Sequence, residues 1–248
     1  MQASDGYSID GPGFNNNYRD KQGNNALRLA IKGGHLQTVR ALQAAGCRLN
    51  QRAARTSALH GAASRADFPL LEELAAAGAD LGATDREGRS ALACAALAGN
   101  TPVVQKLLEL GAPVDVTDLA SAAVSAATEP LAMLLEALGG SLATVLGAKA
   151  ALHAAAGSGS VESIGALLSA GADISARDKK GRTALLHAAA SRSGRVAEVM
   201  HALLAAGASV EARDSQGRTA LICAAASASS QVVDGIEALL AAGASTEE

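Results

Sequence analysis

One stretch of the chain decides its fold, and it reads Asp85-Arg-Glu-Gly88-Arg-Ser90-Ala-Leu92-Ala-Cys-Ala95-Ala96-Leu-Ala-Gly99-Asn100-Thr101-Pro-Val103-Val104-Gln-Lys-Leu107-Leu108-Glu-Leu-Gly111-Ala112. Its first four residues predict a turn, because Asp85 supplies a side-chain acceptor and Gly88 carries no Cβ. Ser90 is placed to cap a helix that follows. Two helical segments then come in succession, separated by Gly99-Asn100 and ended by Gly111.

Each helical segment carries one apolar stripe. On the first, Leu92, Ala95 and Ala96 lie at positions i, i+3 and i+4, which share one helix face. The second repeats that spacing with the residues Val103, Val104, Leu107 and Leu108. Neither helix can bury its stripe alone, so neighbouring units of the same kind must supply the rest of the core.

Such neighbours are visible along the whole chain. A Gly-Ala dipeptide or a close variant closes an apolar stretch at Gly46-Cys47, Gly78-Ala79, Gly111-Ala112, Gly139-Gly140, Gly171-Ala172, Gly207-Ala208 and Gly243-Ala244. Successive glycines in this series stand 28 to 36 residues apart. Spacing in this range is typical of a stack of helix-turn-helix units, and it predicts one elongated all-α domain.

The opening motif of these units resembles that of ankyrin repeats. It is seen in Asp178-Lys-Lys-Gly181-Arg-Thr183-Ala-Leu185, in Asp214-Ser-Gln-Gly217-Arg-Thr219-Ala-Leu221 and in Ser57-Ala-Leu59-His60. The resemblance covers residues 20–248. It implies stacked helix pairs whose short β-hairpin turns, called fingers, project from one edge of a concave face. It also places His60 and His153 where the imidazole bonds to backbone between repeats.

We therefore expect an N-terminal segment, residues 1–19, that is flexible and rich in Asn, Gly, Ser and Asp. Its aromatic residues Tyr7, Phe14 and Tyr18 are candidates to cover the first repeat. The remaining residues divide into seven expected repeats, at about 20–51, 52–84, 85–117, 118–144, 145–177, 178–213 and 214–248.

The fourth to seventh repeats depart from the pattern. No Asp-x-x-Gly turn occurs between Val116 and Ala120, and the fifth repeat opens with Leu146-Gly-Ala-Lys149 instead. These two repeats should lack a full finger. The sixth and seventh repeats carry about three extra residues, within Ser191-Arg-Ser-Gly-Arg195 and Ser227-Ala-Ser-Ser-Gln231, which should lengthen the inter-helix loop or the helices. Such irregularity is either drift in a tolerant stack or a partner-specific notch.

Composition excludes several classes of protein. The chain has 21 basic and 24 acidic residues, a formal charge of −3 that gives no global reason to expect nucleic acid or a membrane surface as partner. Its three cysteines cannot close a disulfide framework. Neither a membrane-spanning apolar run nor a signal peptide is visible, so we expect a cytoplasmic protein.

The sequence contains none of the common catalytic motifs. The histidines, His35, His60, His153, His187 and His201, show no metal-ligand spacing, and no phosphate-binding loop or nucleophile elbow occurs. Gly157-Ser-Gly159 reads as an inter-helix turn. Cys94 and Cys223 occupy equivalent positions in two repeats, which favours a packing role. The sequence therefore predicts that the protein is not an enzyme, that it has no catalytic or metal-binding residues and that it binds no cofactor.

Charge is distributed unevenly over each repeat. Basic residues lie in the fingers and their approaches, whereas acidic residues lie on the second helices, at Glu72, Glu73, Glu109, Glu136, Glu162, Glu198, Asp234 and Glu237. Both rows could simply be solvated faces that keep the protein soluble. The functional alternative is a basic finger edge that binds an acidic protein. Nucleic acid is disfavoured because no aromatic side chains interleave the basic ones.

The sequence thus predicts a non-catalytic module, a scaffold that binds a protein or peptide partner on its concave finger and first-helix face. The candidate partner-binding residues are Lys21, Arg52, Arg55, Arg86, Arg89, Lys179, Lys180, Arg182 and Arg218. Two alternatives stay open: a regulatory, inhibitory or immunity partner of an enzyme, and the targeting domain of a secreted effector. A third, activity of the irregular middle near Asp118 and Glu129, predicts a metal or small ligand there. The sequence does not specify an oligomeric state.

Overall fold

The computed structural model describes residues 21, 25–45, 47, 58–125, 127–138, 145–227 and 232–245. In this part of the chain the regular structure consists of fourteen α-helices. They are α1 (Ala26–Gly33), α2 (Leu36–Ala44), α3 (Ala58–Ser64), α4 (Phe68–Ala76), α5 (Ala91–Leu97), α6 (Thr101–Glu109), α7 (Val116–Val124), α8 (Glu129–Ala137), α9 (Val145–Ser158), α10 (Val161–Ser169), α11 (Ala184–Ala189), α12 (Val196–Ala205), α13 (Ala220–Ala226) and α14 (Val232–Ala241).

The apolar spacing read from the sequence matches the buried faces of these helices. On α5, Leu92 and Ala96 are fully buried, and on α6 Val103, Val104 and Leu107 are fully buried. Among the described residues, the glycines of the Gly-Ala dipeptides follow the second helices as predicted, at Gly78, Gly111, Gly171, Gly207 and Gly243. Gly46 and Gly139 lie outside the described residues. Gly171, for example, has a φ of +91°, a left-handed conformation that a residue with a Cβ adopts only with strain.

The chain divides into two compact units. The first comprises residues up to Ala91 together with Glu109–Ala112. Within it α1 packs against α2 and α3, and α3 packs against α4. Its core is aliphatic and alanine-rich, with Leu27, Ile31, Val39, Leu59, Leu70, Leu71 and Leu74 buried.

The second unit comprises Leu92–Leu108 and Pro113–Glu248. Its first helices pack in succession, α7 on α9, α9 on α11 and α11 on α13. The second helices do likewise, since α10 packs on α12 and α12 on α14. Each helix pair therefore covers the stripe that its neighbour leaves open, which is the arrangement that the repeated sequence predicts.

In the described residues, the middle of the second unit departs from the usual finger. Asp115 is the N-cap of α7, so only Pro113 and Val114 separate Ala112 from that cap. The residues Leu146-Gly-Ala-Lys149 lie inside α9, which is 14 residues long, whereas α11 and α13 have six and seven. The predicted loss of the turn in the fourth repeat is thus confirmed, and in the fifth the corresponding residues extend the helix.

The extra residues of the sixth repeat lengthen the inter-helix loop, which is one of the two predicted outcomes. Those of the seventh repeat fall at 228–231, outside the described residues. Residues 190–195 connect α11 to α12, whereas residues 98–100 connect α5 to α6. Gly157-Ser-Gly159 also lies at an inter-helix turn: Gly157 and Ser158 end α9, and Gly159 has a φ of +92° before α10 begins. No helix in the described ranges is long and apolar enough to cross a membrane.

Candidate functional site

Three finger turns, residues 85–89, 178–182 and 214–218, share one hydrogen-bond arrangement. In the second of them Asp178 Oδ1 accepts from the amides of Lys180 and Arg182, at 2.7 and 2.9 Å. Asp178 Oδ2 accepts from Nε and one terminal nitrogen of the Arg182 guanidinium, at 2.9 and 2.8 Å. The Asp178 amide donates to the Arg182 carbonyl oxygen at 2.9 Å and closes the turn.

The first and third finger turns repeat this arrangement. The Asp85 carboxylate accepts from the amides of Glu87 and Arg89 and from the Arg89 guanidinium, all within 3.0 Å. Asp214 accepts from the amides of Gln216 and Arg218 and from the Arg218 guanidinium, all within 2.9 Å. The motif Asp-x-x-Gly-Arg therefore encodes a turn stabilised by its own first and last side chains.

The electrostatics of these turns favour the ionised aspartates. Burial alone would raise the pKa of the Asp178 carboxyl, but the hydrogen bonds from Arg182, Lys180 and His187 outweigh burial and hold that pKa well below its usual range. The pKa of Asp214 is lowered chiefly by its hydrogen bonds from the Arg218 side chain. Each carboxylate is therefore charged at neutral pH and neutralises the arginine beside it.

The predicted partner-binding residues consequently fall into two groups. Arg89, Arg182 and Arg218 are ion-paired within their own turns, and their side chains are 38%, 25% and 44% exposed. The second group consists of the exposed cations Lys21, Arg86, Lys179 and Lys180. Arg52 and Arg55 lie outside the described residues, as do Tyr7, Phe14 and Tyr18. Sequence reasoning counted both groups alike because it did not foresee the pairing of each arginine with its own aspartate.

The second and third finger turns, which we call the rear turns, are joined directly. The Ser215 amide donates to the Lys180 carbonyl oxygen at 2.9 Å. The guanidinium of Arg177 spans the same gap, since it donates to the carbonyl oxygens of Gly181 and Arg213. The backbone that carries Lys179 and Lys180 is therefore fixed on both sides.

His60 and His153 have the structural role that was predicted for them. His60 Nε2 lies 2.9 Å from the Arg89 carbonyl oxygen, and His153 Nε2 lies 3.0 Å from that of Ala176. Both bonds join a first helix to the next turn, so the prediction is confirmed. His187 differs, because its Nε2 bonds to the Asp178 carboxylate at 3.0 Å and its ring stacks on that of His153.

The acidic residues of the second helices are exposed as predicted, with Glu73 half-buried. Some of them connect consecutive repeats. Arg40 on α2 bonds to Glu73 on α4 at 2.8 Å. Arg195 at the start of α12 bonds to Glu162 on α10 at 2.9 Å and to Glu198 at 2.8 Å. Part of the acidic row is thus neutralised by arginines of the same surface.

The long loop between α11 and α12 folds back on the preceding inter-helix turn. The Ser191 hydroxyl donates to the Gly157 carbonyl oxygen at 2.6 Å, and Ser193 packs so closely on Gly159 that a Cβ would not fit there. One repeat later, the Ser227 hydroxyl donates to the Ser191 carbonyl oxygen at 3.4 Å. The extra residues of the sixth repeat therefore add contacts between repeats.

The two acidic residues named for the irregular middle, Asp118 and Glu129, have different surroundings. Asp118 is buried, and its Oδ2 accepts from the Asp115 amide at 2.6 Å. Asp115 Oδ1 accepts in turn from the amides of Thr117 and Asp118. This reciprocal arrangement is a capping box, which stabilises the start of α7. Glu129 is exposed in the first turn of α8.

Comparison with known proteins agrees with this geometry. A family model that describes three consecutive ankyrin repeats matches four overlapping stretches, residues 43–118, 59–178, 134–214 and 152–248. The chain belongs to the ankyrin repeat family. The all-α fold and the finger turns described above are those of an ankyrin repeat domain, and domains of this family generally mediate protein–protein interaction and are typically non-catalytic.

Solved ankyrin repeat structures resemble this domain over most of its length. The ankyrin repeat domain of human ASB11 superposes with a TM-score of 0.67 at 25% identity, over 90% of this chain and 100% of that one. The ankyrin repeat domain of Bcl-3, a member of the IκB family, gives 0.64 at 25% identity, over 88% of this chain and 99% of that one.

One curated protein matches part of these ankyrin repeats. It is a protein of Dirofilaria immitis named L-asparaginase, 37% identical over 140 residues. The match covers 53% of this chain and 23% of that protein.

Proposed function

We propose that this ankyrin repeat domain is a non-catalytic interaction module whose rear turns and adjoining first helices bind an acidic surface of a protein partner. The observation that carries the proposal is the pair Lys179 and Lys180. Both side chains are exposed, at the tip of a turn whose backbone is held by Asp178 and by the next turn. A fixed backbone that carries exposed ammonium groups suits recognition of carboxylates, because little backbone conformational entropy is lost on binding.

The arginines of the same turns support the proposal indirectly. Arg182 and Arg218 hold their turns through Asp178 and Asp214, and their guanidinium groups are already neutralised. An acidic partner therefore meets the unpaired charge of the lysines first. In the first compact unit Arg86 is the corresponding exposed cation of its turn.

Some first helices also expose small or aliphatic residues at their ends. Leu97 is 38% exposed, and Ala98 and Ser64 are also exposed. Small exposed residues allow close approach, whereas charged residues at the rim provide steering and specificity. Nucleic acid remains the disfavoured partner, because base recognition on single strands relies on aromatic platforms and Phe68 is the one aromatic residue within the repeats.

A pair of charge-matched variants tests the proposal. The variant Lys179→Glu/Lys180→Glu and the control Lys32→Glu/Arg192→Glu each lower the net charge by the same amount, but the control changes residues at the ends of helices or in an inter-helix loop. Intact chain and both variants serve as bait in lysate after circular dichroism shows equal helix content. Partners identified with the intact chain should bind the lysine variant on the order of tenfold more weakly and the control unchanged.

Equal loss in both variants would show that only net charge matters, and retention by both would remove the binding site from the rear turns. The salt dependence of the same interaction gives an independent measure. Affinity for an acidic partner should fall as ionic strength rises, and it should fall less steeply for the lysine variant.

The second candidate is a regulatory or targeting module that acts on or beside an enzyme. The likeness to 23% of a protein named L-asparaginase is the observation that bears on it. Partners captured above discriminate the two candidates: an enzyme whose activity changes on addition of the purified chain favours regulation, whereas a partner without activity favours a scaffold.

A further inference from the structure

Two histidines in the second compact unit form a stacked pair. The rings of His153 on α9 and His187 on α11 have centroids 4.7 Å apart and planes inclined by 23°. His153 Nε2 bonds to the Ala176 carbonyl oxygen, and His187 Nε2 bonds to Asp178 Oδ2. His153 is 8% exposed and the His187 side chain 20% exposed, so water screens the pair poorly.

These hydrogen bonds fix where the protons are. A carbonyl oxygen and an ionised carboxylate only accept, so Nε2 must carry the hydrogen in both rings. A neutral imidazole satisfies each bond completely. A further proton would therefore go to Nδ1 of either ring and leave two cations face to face, with the Arg182 guanidinium on the same aspartate.

We propose that the His153–His187 stack is an acid-sensitive latch, which keeps the rear turns ordered at neutral pH and loosens them when the rings become protonated. The inference rests on the proposed function only for its consequence: the surface that the latch controls is the one that carries Lys179 and Lys180. The latch itself is a property of the isolated chain.

Hydrogen bonds lead from the latch to both rear turns. Asp178, which bonds to His187, also accepts from the amides of Lys180 and Arg182. The Lys180 carbonyl oxygen accepts in turn from the Ser215 amide. A displacement of His187 from Asp178 thus removes one hydrogen bond that stabilises the first rear turn. The second rear turn is affected as well, because its Ser215 amide bonds to the first.

The charges around the pair act mostly against protonation. Burial, His153 and Arg182 together lower the pKa of His187 to about 4, although the Asp178 carboxylate opposes them. Burial likewise lowers the pKa of His153, with Lys149 and Arg182 adding to the effect and Asp178 opposing it. On the neighbouring helices the titratable groups are Asp118 in the cap of α7, the exposed Glu162, Glu198 and His201, and the buried Cys223.

The direction of the pH effect follows from these shifts. An unfolded histidine has a pKa of about 6.5, so between about 6.5 and 4 the unfolded segment binds more protons than the folded one. The stability that the neutral histidine pair contributes is therefore fully present above about pH 6.5, and it is lost as the pH falls toward 4.

Hydrogen exchange on the unmodified chain, with no partner present, tests the latch. After correction for intrinsic exchange rates, amides of residues 178–190 and 214–218 should lose protection on the order of tenfold between about pH 7 and pH 5. Amides of α6, which contains no histidine, should change less. Equal change in both segments would overturn the proposal. So would a proton NMR titration in which His187 titrates at the ordinary value.

The chain itself supplies the matched variants. His187→Cys introduces the residue found at the equivalent position of α5 and α13, and His153→Leu introduces the equivalent of Leu186. Either change should abolish the pH-dependent loss of protection in residues 178–190, whereas His201→Gln, which alters an exposed histidine, should preserve it. A loss that persists in both latch variants would assign the effect to other groups. These outcomes do not depend on the lysine variants that test partner binding.

Discussion

The rear of the second compact unit, α11 to α14, and its middle, α7 to α9, differ in the structure that precedes each first helix. In the rear, each first helix is preceded by a turn that an aspartate and an arginine hold together. In the middle, the capping box of Asp115 and Asp118 starts α7 directly, and α9 is extended where a turn would otherwise lie. Both regions bury leucine and alanine side chains, such as Leu119 and Ala122 in the middle and Leu185 and Ala188 in the rear.

This difference separates what the fold requires from what the surface adds. Helix packing continues through α7, α9, α11 and α13 whether or not a finger turn is present. The packing of the first helices therefore does not require a finger turn before each of them.

The largest expected effect tests whether the two regions share one kind of core. Leu119 in the middle and Leu185 in the rear are each 1% exposed. Leu119→Ala and Leu185→Ala should each lower the free energy of unfolding by about 2–5 kcal/mol, measured by chemical denaturation. Val124→Ala, at a position 42% exposed, should change it by less than about 0.5 kcal/mol. A much smaller cost for Leu185→Ala would mean that the turns, not the core, stabilise the rear.

The next effect compares Asp178, which holds the first rear turn, with Asp115, which is the N-cap of α7. Asp178→Ala removes the acceptor of two amides, one guanidinium and one imidazole, and it should cost about 2–3 kcal/mol of unfolding free energy. Asp115→Ala removes a helix N-cap and should cost about 1 kcal/mol. Denaturant titrations of both variants measure the difference. Equal costs would show that the rear turn adds nothing beyond an ordinary cap.

The smallest effect isolates the contact between the rear turns. Gly181 and Gly217 both have left-handed backbone, with φ of +71° and +78°. A Cβ at Gly181 would lie 3.1 Å from the Ser215 nitrogen, whereas a Cβ at Gly217 would meet nothing within 4 Å. Gly217→Ala should cost about 1 kcal/mol for strain alone, and Gly181→Ala should cost more. Thermal unfolding of the two variants checks this order, and equal melting temperatures would contradict it.

Much of the fold was predictable because it rests on local rules repeated many times. Helix faces, stop glycines and the missing turn before α7 follow from spacing and turn chemistry, and the structure agrees with each. The extension of α9 was not foreseen. The absence of Asp-x-x-Gly indicated only that a finger was missing, and it did not indicate what replaced it.

The candidate site was less predictable, because it depends on contacts between side chains. The sequence marked Arg89, Arg182 and Arg218 as basic, but whether an arginine serves a partner or its own turn depends on side-chain geometry. For His187 the sequence does contain a signal, which is its position relative to the leucine of the motif. His187 follows Leu185-Leu186, whereas His60 and His153 follow one leucine of their motif, so its ring lies about 100° further round the helix. That rotation directs it to Asp178 instead of backbone.

The finger turn also bears on how such a chain can grow over evolutionary time. Its aspartate, glycine and arginine satisfy one another within five residues, so a duplicated gene segment would bring a complete, working turn to any new place in the array. The contacts that join a copy to its neighbours, such as those of His187 and Ser215, could then diverge separately. Within the described part of the chain, three near-identical turns occur and α7 begins without one, a pattern that copying followed by local loss would leave.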